Sequence, residues 1–421
     1  GSTSGNHALL LAALHPGDTV VCARDAHVST HTALVLTGAH PVWVSPGHDH
    51  GWDVGTGVSP AALAEALDAH PEAKLAMVVS PSYAGVCSDL PRLVEVAHSR
   101  GVPLVVDEAW GPHLRFGASL PVDAMTAGAD AAIISTHKLL SSLSQSSVLL
   151  VRDGRLPLDR IASAVRMTQT TSPYLPLVAS VDSCRAQLED DGPALVGWAV
   201  DLARLTRTLL ARVPGLRVLE ADQLDLDHGD DRATARPSSG GLDPCKIVVD
   251  VRGRGIDGLS ADRLLREVHG IAVEGSDATR LYLVVGPGDS VAAVRRLVLA
   301  LAALGTPGPY ALEDVPDLPA VPEQAVSPRE AYFADHVRVP LHEAAGRVCA
   351  ELVTPYPPGI PLLAPGERVS EAAVRWLRSA VAGGVHVHGP DDTTMATLRV
   401  VAYDFELRAE RVRRGGAPTR R

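Results

Sequence analysis

Short apolar runs alternate with helix-patterned stretches through the first half of the chain. The runs Thr19–Ala23, Pro41–Val44, Leu75–Val79, Val102–Val106 and Ala131–Ile134 are apolar almost throughout, not at every second position. Unbroken runs of this length read as strands buried on both faces, the pattern of a parallel sheet. Helical stretches lie between them at His7–Leu14, Val28–Leu36, Pro60–Ala69, Leu90–Ser99 and Val122–Ala127. Leu93, Val94, Val96 and Ala97 share one side of the fourth, and Gly101 stands where a left-handed cap belongs. Repeated strand–helix–strand units predict an α/β fold, a mainly parallel sheet with helices on both faces. One more apolar run, Val148–Val151, follows a serine-rich interval.

After Arg155 the pattern turns helical, over Leu158–Met167, Leu177–Gln187 and Ala194–Val213, the last stopped by Pro214-Gly215. Glu220–Gly241 is acidic, then Ser- and Gly-rich, and reads as an exposed loop. A strand over Ile247–Val251 opens a smaller α/β unit. These shifts divide the chain into a major domain (1–215), a small α/β domain (216–304), a Pro-, Gly- and acid-rich linker (305–330), a C-terminal α+β domain (331–407) and a basic tail (408–421). In the C-terminal domain Glu343–Glu351 reads as a helix. Val385–His388 alternates as a strand with both histidines on one face.

A chain of 421 residues, 46% hydrophobic, has enough apolar material for two or three cored domains. Its net charge of −11 weighs against a nucleic-acid or anionic-membrane partner. Five scattered cysteines (22, 87, 184, 245, 349) with no close pair read as free thiols of a reducing cytoplasm. No apolar stretch is long enough to span a bilayer and no signal peptide is recognisable. The chain opens on Gly1 inside a site-like loop, so residues are expected to precede it.

In an open α/β sheet, ligands collect beyond the carboxyl ends of the strands. His27, Tyr83, Asp107 and Lys138 all fall at such ends. A lysine there, close to apolar walls, loses its proton readily and becomes a nucleophile toward carbonyls. Asp107 closes a buried strand, where a carboxylate is costly without a partner, and a protonated pyridine nitrogen is one such partner. Together Asp107 and Lys138 meet the needs of pyridoxal 5'-phosphate: a carboxylate for the ring nitrogen and an amine for the Schiff base. The Ser135 and Thr136 hydroxyls beside Lys138 suit phosphate oxygens. Gly1–Asn6 is a hydroxyl-rich loop entering a helix, where backbone N–H groups and the helix dipole favour an anion. His27 sits where an imidazole can stack on a planar cofactor. Each residue also has a plainer reading: a helix cap for Asp107 and the Ser-Thr loop, a solvated charge for Lys138 and His27.

Three other patterns compete. Gly253-Arg254-Gly255-Ile256-Asp257-Gly258 matches the dinucleotide fingerprint after a strand. Ser260 reads as the cap of the next helix, which would then start after the third glycine instead of on it. His48-Asp49-His50 and the His386/His388 pair are candidate metal ligands. The first three cannot easily converge on one ion and the second pair lacks a third ligand, so no metal is assigned.

Seven stretches, GSTSGN (1–6), ARDAHVS (23–29), SPSYAGVCSDL (80–90), VDEAWGPH (106–113), STHK (135–138), TSPYLPLVASVD (171–182) and PYPPGIPLLAPGE (355–367), run in order across nearly the whole chain. Through them the sequence resembles the bacterial ornithine/lysine/arginine decarboxylases, pyridoxal-phosphate enzymes of the aspartate-aminotransferase fold (fold type I). STHK and PYPPGIPLL are the most specific. The resemblance implies that Lys138 carries the cofactor, Asp107 pairs with its pyridine nitrogen and His27 stacks on its ring. It implies that Ser2, Thr3, Ser135 and His137 hold the phosphate. It further implies a basic L-amino acid (arginine, lysine or ornithine) as substrate, CO2 and the corresponding amine as products, a role in polyamine synthesis, and a homodimer with shared sites. The Thr171-Ser172 turn would then reach the neighbour's cofactor. The sequence departs from the family in three places: its opening segment is absent, Asp25 and Val28 replace Asn and Lys, and Tyr174-Leu175 replaces Ser-Tyr. An aminotransferase of the same fold and a cofactor-less paralogue are the alternatives.

Overall fold

The computed structural model describes residues 1–224, 226, 240–305, 308, 319–356 and 360–402. They form two compact units, one holding most of residues 1–311 and one most of 312–421.

The first unit is built on a six-stranded sheet. Its strands are β1 (Thr19–Ala23), β2 (His40–Val44), β3 (Leu75–Val79), β4 (Leu104–Asp107), β5 (Ala131–Ile134) and β6 (Val148–Val151), in the order β2-β1-β3-β4-β5-β6. β1, β3, β4 and β5 run parallel, in the register Val79 beside Asp107 beside Ile133. Along β1, β3, β4 and β5 apolar residues are buried on both faces, as an unbroken hydrophobic run requires. β6 departs from the parallel expectation: it returns antiparallel on β5, with Ile134 opposite Val148. The interval between them, only residues 135–147, makes a single helical turn and a hairpin-like return; no crossover helix intervenes.

Asp130 fixes where β4 begins. Its buried Oδ2 accepts from the Leu104 N–H (2.8 Å) and pairs with His98 Nε2 (2.8 Å), while Arg155 approaches Oδ1 (3.4 Å). Asp130→Ala leaves that N–H and the His98 ring without their partner. It should lower stability by about 3 kcal/mol, read as a lower urea midpoint; an unchanged midpoint would show the cluster to be dispensable.

Helices Pro60–Ala69 and Leu90–Ser99 match their expected spans, capped by Ser59 and Asp89, and Gly101 takes φ +72° beyond the second. The predicted helix Val122–Ala127 is shorter, Ala124–Ala127, because Asp123 caps it. Helix α1 starts earlier than expected and spans Ser2–Ala13, so the hydroxyl-rich loop is itself the first helical turn. His48 and Asp49 belong to a hairpin (Gly47–Asp49 with Val54–Gly57), where His48 pairs with Asp53 at 3.0 Å.

Two predicted helices are one. Leu175–Ala211 is continuous through Pro193, although proline removes a ladder bond and costs about 3 kcal/mol in a helix interior. Gly192, Val196, Ala199, Val200 and Ala203 form a buried stripe running past that proline, and this packing outweighs the local cost.

Strands β7 (Arg217–Val218), β8 (Lys246–Asp250), β9 (Gly275–Ser276) and β10 (Arg280–Val284) form a second sheet in the order β7-β8-β10-β9, every pairing antiparallel. Here the helix after the glycine-rich stretch begins on Gly258, capped by the Asp257 side chain, not by Ser260. The dinucleotide reading fails instead on topology, because a Rossmann unit needs β8 and β10 parallel. Most of the acidic 220–241 loop lies outside the described residues.

In the second unit, His336–Pro340 pairs with Thr397–Val401 and Thr354–Tyr356 with His386–His388, beside helix Glu371–Ala382. Leu363, Trp376, Leu377 and Leu398 centre its core. Val387 is buried between exposed His386 and His388, so the two histidines share a face. Glu343–Glu351 is not helical: a short turn at Leu341–Glu343 gives way to bridges joining Val348 to Arg368 and Cys349 to Val400. Residues 357–359 and the basic tail lie outside the described residues. All five cysteines are free and buried. No helix among the described residues is long and apolar enough to cross a membrane.

Candidate active site

The carboxyl ends of β1, β3, β4 and β5 bring most of the expected residues together. α1 lies across this end. A side chain at Gly5 would meet Ile133 of β5 at 3.1 Å, and one at Gly1 would meet the Gln145 carbonyl at 3.3 Å. The first turn of α1, with Ser2 and Thr3, therefore stands beside the β5–β6 connection that carries Ser135 and His137. No side chain caps that turn, so its first N–H groups lack a capping partner. Ser135 Oγ is fully buried and has no hydrogen-bond partner. His137 is held away from that role on one side, since its Nδ1 lies 2.6 Å from the Ser146 carbonyl. The Thr136, Ser142 and Ser146 hydroxyls bond to one another and stiffen the loop.

Asp107 is buried at the end of β4. Its Oδ2 accepts from Asn6 Nδ2 (3.0 Å) and its Oδ1 from the Ala109 N–H (3.2 Å). Asn6 Nδ2 also donates to Ser29 Oγ (2.8 Å), and that hydroxyl lies 2.8 Å from His27 Nδ1. One chain of contacts thus links the β4 carboxylate, α1 and the His27 ring. His27 is open to solvent on one side. Desolvation on the other lowers its pKa, reinforced by Lys138 and opposed by Asp107. Asp25, facing Asp107, is pushed up to about 6, mainly by burial.

Lys138 sits in the single turn Thr136–Leu139 that follows β5, with Nζ 3.9 Å from the centre of the Trp110 ring. Burial lowers its pKa, opposed by Asp107 and Glu274. Tyr83 meets Trp110 edge-on at 5.8 Å. The β3, β4 and β5 ends therefore supply an aromatic wall, a fixed carboxylate and an amine poised toward its neutral form.

A second amine lies against the same wall. Lys246, the first residue of β8, places Nζ 3.4 Å from the Trp110 ring centre and 4.7 Å from that of Tyr83. It is 1% exposed, and its Nζ has no hydrogen-bond partner. Next to it His113 and Asp243, both buried, pair at 3.1 Å; with Cys245 they are a group among the described residues that could converge on a metal ion.

The sequence pattern gives no role to Lys246, Trp110 or Asn6. A signal for Lys246 was present in the composition. The chain holds only three lysines, Lys74, Lys138 and Lys246, and the third opens the apolar run Ile247–Val251. Asn6 and Trp110 stand inside matched motifs, but their contacts come from elements far away in the chain.

Residues 1–293 match the family model described as the Orn/Lys/Arg decarboxylase major domain, and residues 316–392 its C-terminal domain. The chain belongs to the Orn/Lys/Arg decarboxylase family. Among its relatives, an arginine decarboxylase of Halalkalibacterium halodurans is 36% identical over 412 residues, 97% of this chain and 82% of that protein. Lysine decarboxylase A of Pseudomonas aeruginosa superposes with a TM-score of 0.78 at 23% identity, covering 95% of this chain and 68% of that one. Ureidoglycine–glyoxylate aminotransferase of Bacillus subtilis superposes over only 72% of this chain, with a TM-score of 0.54 at 17% identity. The decarboxylase fold thus extends over nearly all of this chain, including the part that the aminotransferase does not cover.

Proposed function

We propose that this protein removes CO2 from a basic L-amino acid, with arginine the first substrate to test, using pyridoxal phosphate held at the carboxyl ends of β1, β4 and β5. The observation that carries the reading is the placement of the Lys138 amine and the fixed Asp107 carboxylate beyond the ends of adjacent strands, in a chain of this family. The surroundings fit the cofactor. Ser135 Oγ and Asn6 Oδ1 are buried polar atoms without partners, and the first turn of α1 offers free N–H groups.

In this reading Ser2, Thr3 and Ser135 hold the phosphate, Asp107 the ring nitrogen, and His27 a face of the ring. His137 Nδ1 is engaged by Ser146, which leaves Nε2 for the phosphate. The bound cofactor supplies an electron-poor ring that takes up the electrons of the bond broken when CO2 departs. The protein's part is positional and electrostatic. Asn6 and the Ala109 N–H orient the Asp107 carboxylate, and Trp110 and Tyr83 keep water from the Lys138 amine. Burial favours that amine's neutral, nucleophilic form.

Supplying arginine, lysine and ornithine separately and measuring CO2 with agmatine, cadaverine or putrescine tests the reading. CO2 and one matching amine are expected. Formation of a keto acid with a 2-oxo acid acceptor, without CO2, would hand the site to amino-group transfer.

We place the enzyme in the cytoplasm, in polyamine synthesis, as a homodimer. Met167, Tyr174, Leu175 and Val178, between 58% and 69% exposed, cluster around the Thr171-Ser172 turn and give a second copy an apolar surface to cover. Sedimentation should show a dimer that Leu175→Glu dissociates with loss of activity; a fully active monomer would remove the shared-site idea.

A further inference from the structure

We propose that Ser29 is a positioning residue for His27: with Asn6 behind it, it fixes the imidazole in the tautomer that carries its proton on Nε2. The tautomer follows from hydrogen bonds alone. Its consequence for catalysis rests on the reading that His27 faces the cofactor.

The direction of donation can be followed outward from Asp107. A carboxylate only accepts, so the Asn6 amide turns Nδ2 toward it (3.0 Å), and the same nitrogen reaches Ser29 Oγ at 2.8 Å. Ser29 Oγ therefore receives a hydrogen from Asn6 and keeps its own to give. It lies 2.8 Å from His27 Nδ1, and the Ser29 main-chain N–H meets that same nitrogen at 3.2 Å. A backbone N–H can only donate, so Nδ1 holds a lone pair and the proton of the neutral ring belongs on Nε2. The main-chain contact is that of a helix cap. His27 stands just before helix Val28–Thr37 and accepts from its second N–H, as a capping Asp or Ser would. Protonating Nδ1 would break both contacts, and hydrogen bonds made only to the neutral form favour that form. Three titratable groups face the ring. Asp107 from β4 favours the imidazolium and Lys138 after β5 opposes it. His31, on the same helix as Ser29, is pushed down to about 3, mainly by burial, and so adds no charge. Burial and Lys138 prevail over Asp107, and the His27 pKa lies below its ordinary value. A neutral ring held in this way donates one hydrogen bond from Nε2, but giving up that proton would leave an imidazolate. His27 thus orients groups in the cleft as a hydrogen-bond donor and is not the acid of the reaction.

Nuclear magnetic resonance of the full chain, with histidine carrying the heavy nitrogen isotope, tests the assignment. His27 is recognised among the 17 histidines by the signals lost in His27→Gln. Above its midpoint the ring should show an unprotonated Nδ1 and a protonated Nε2, with and without pyridoxal phosphate. Ser29→Ala removes the hydroxyl donor and should raise the His27 midpoint by about one pH unit, a tenfold larger protonated fraction above it. Ser29→Thr, which keeps the hydroxyl, should leave the midpoint where it was. In the cofactor-loaded enzyme, activity is lost as pH falls through the His27 midpoint, so the acid limb of kcat/KM should move up with it in Ser29→Ala. A merely structural role would lower kcat and leave the midpoint in place. A protonated Nδ1 in the neutral ring of the unaltered chain overturns the proposal, and that measurement needs no variant to fold. An unmoved midpoint in Ser29→Ala overturns it too, as does activity that disappears when pH rises through the midpoint, which would make His27 the acid. A protein that stays colourless with pyridoxal phosphate yet shows the Nε2–H tautomer would overturn only the cofactor reading. A coloured protein with the opposite tautomer would overturn only this one.

Discussion

Lys138→Ala should lose decarboxylation altogether while the fold persists. Lys138 is half-buried, and its neighbours are an aromatic ring and two carboxylates at a distance, so truncation leaves no buried charge unpaired. What disappears is the only amine placed at the end of β5. The unaltered protein should take on long-wavelength absorbance with pyridoxal phosphate, and borohydride should fix the label on the peptide containing Lys138. The alanine variant should show neither. Label on Lys246 instead of Lys138 would reverse the roles of the two amines. A protein that neither colours nor reacts would sink the cofactor assignment.

Asp107→Asn should lower turnover by several orders of magnitude while the cofactor still binds. The substitution keeps the shape of the side chain and an oxygen to accept from Asn6 Nδ2, so the contact chain through Ser29 to His27 survives. It removes the negative charge that would hold a proton on the ring nitrogen. The lost charge-assisted bond alone costs roughly 1.5–3 kcal/mol, and loss of the electron sink adds to it. The result to look for is retained absorbance with kcat collapsed. Near-normal turnover in Asp107→Asn would mean that the carboxylate serves only to bind Asn6 and the Ala109 N–H.

Much of the sheet was readable from the chain because a strand covered on both faces must be apolar at every position. β1, β3 and β5 accordingly fall where their apolar runs do, and β6, the half-buried edge strand, also falls on its run. Asp107 stood out because it directly follows such a run, where a charge is expensive unless used, and Lys138 because it lies on the short connection leaving the end of the next one. The misplaced elements share a different cause. The separation of Leu177–Gln187 from Ala194–Val213 and the Glu343–Glu351 helix rest on local propensity, and in both cases distant packing overrode it.

The sequence by itself determined the family, the strand-end pair Asp107/Lys138 and the parallel core, since burial leaves its mark on consecutive residues. The tertiary structure decided what touches that pair. Asn6 reaches Asp107 across 101 positions, and Lys246 reaches the Trp110 ring from an antiparallel sheet formed much later in the chain. It also decided that β6 closes the sheet antiparallel and that the glycine-rich stretch before Gly258 follows a strand of an antiparallel sheet, not of a Rossmann unit. Strand direction and long-range contact depend on how separate segments pair, and neither leaves a periodic trace within a segment.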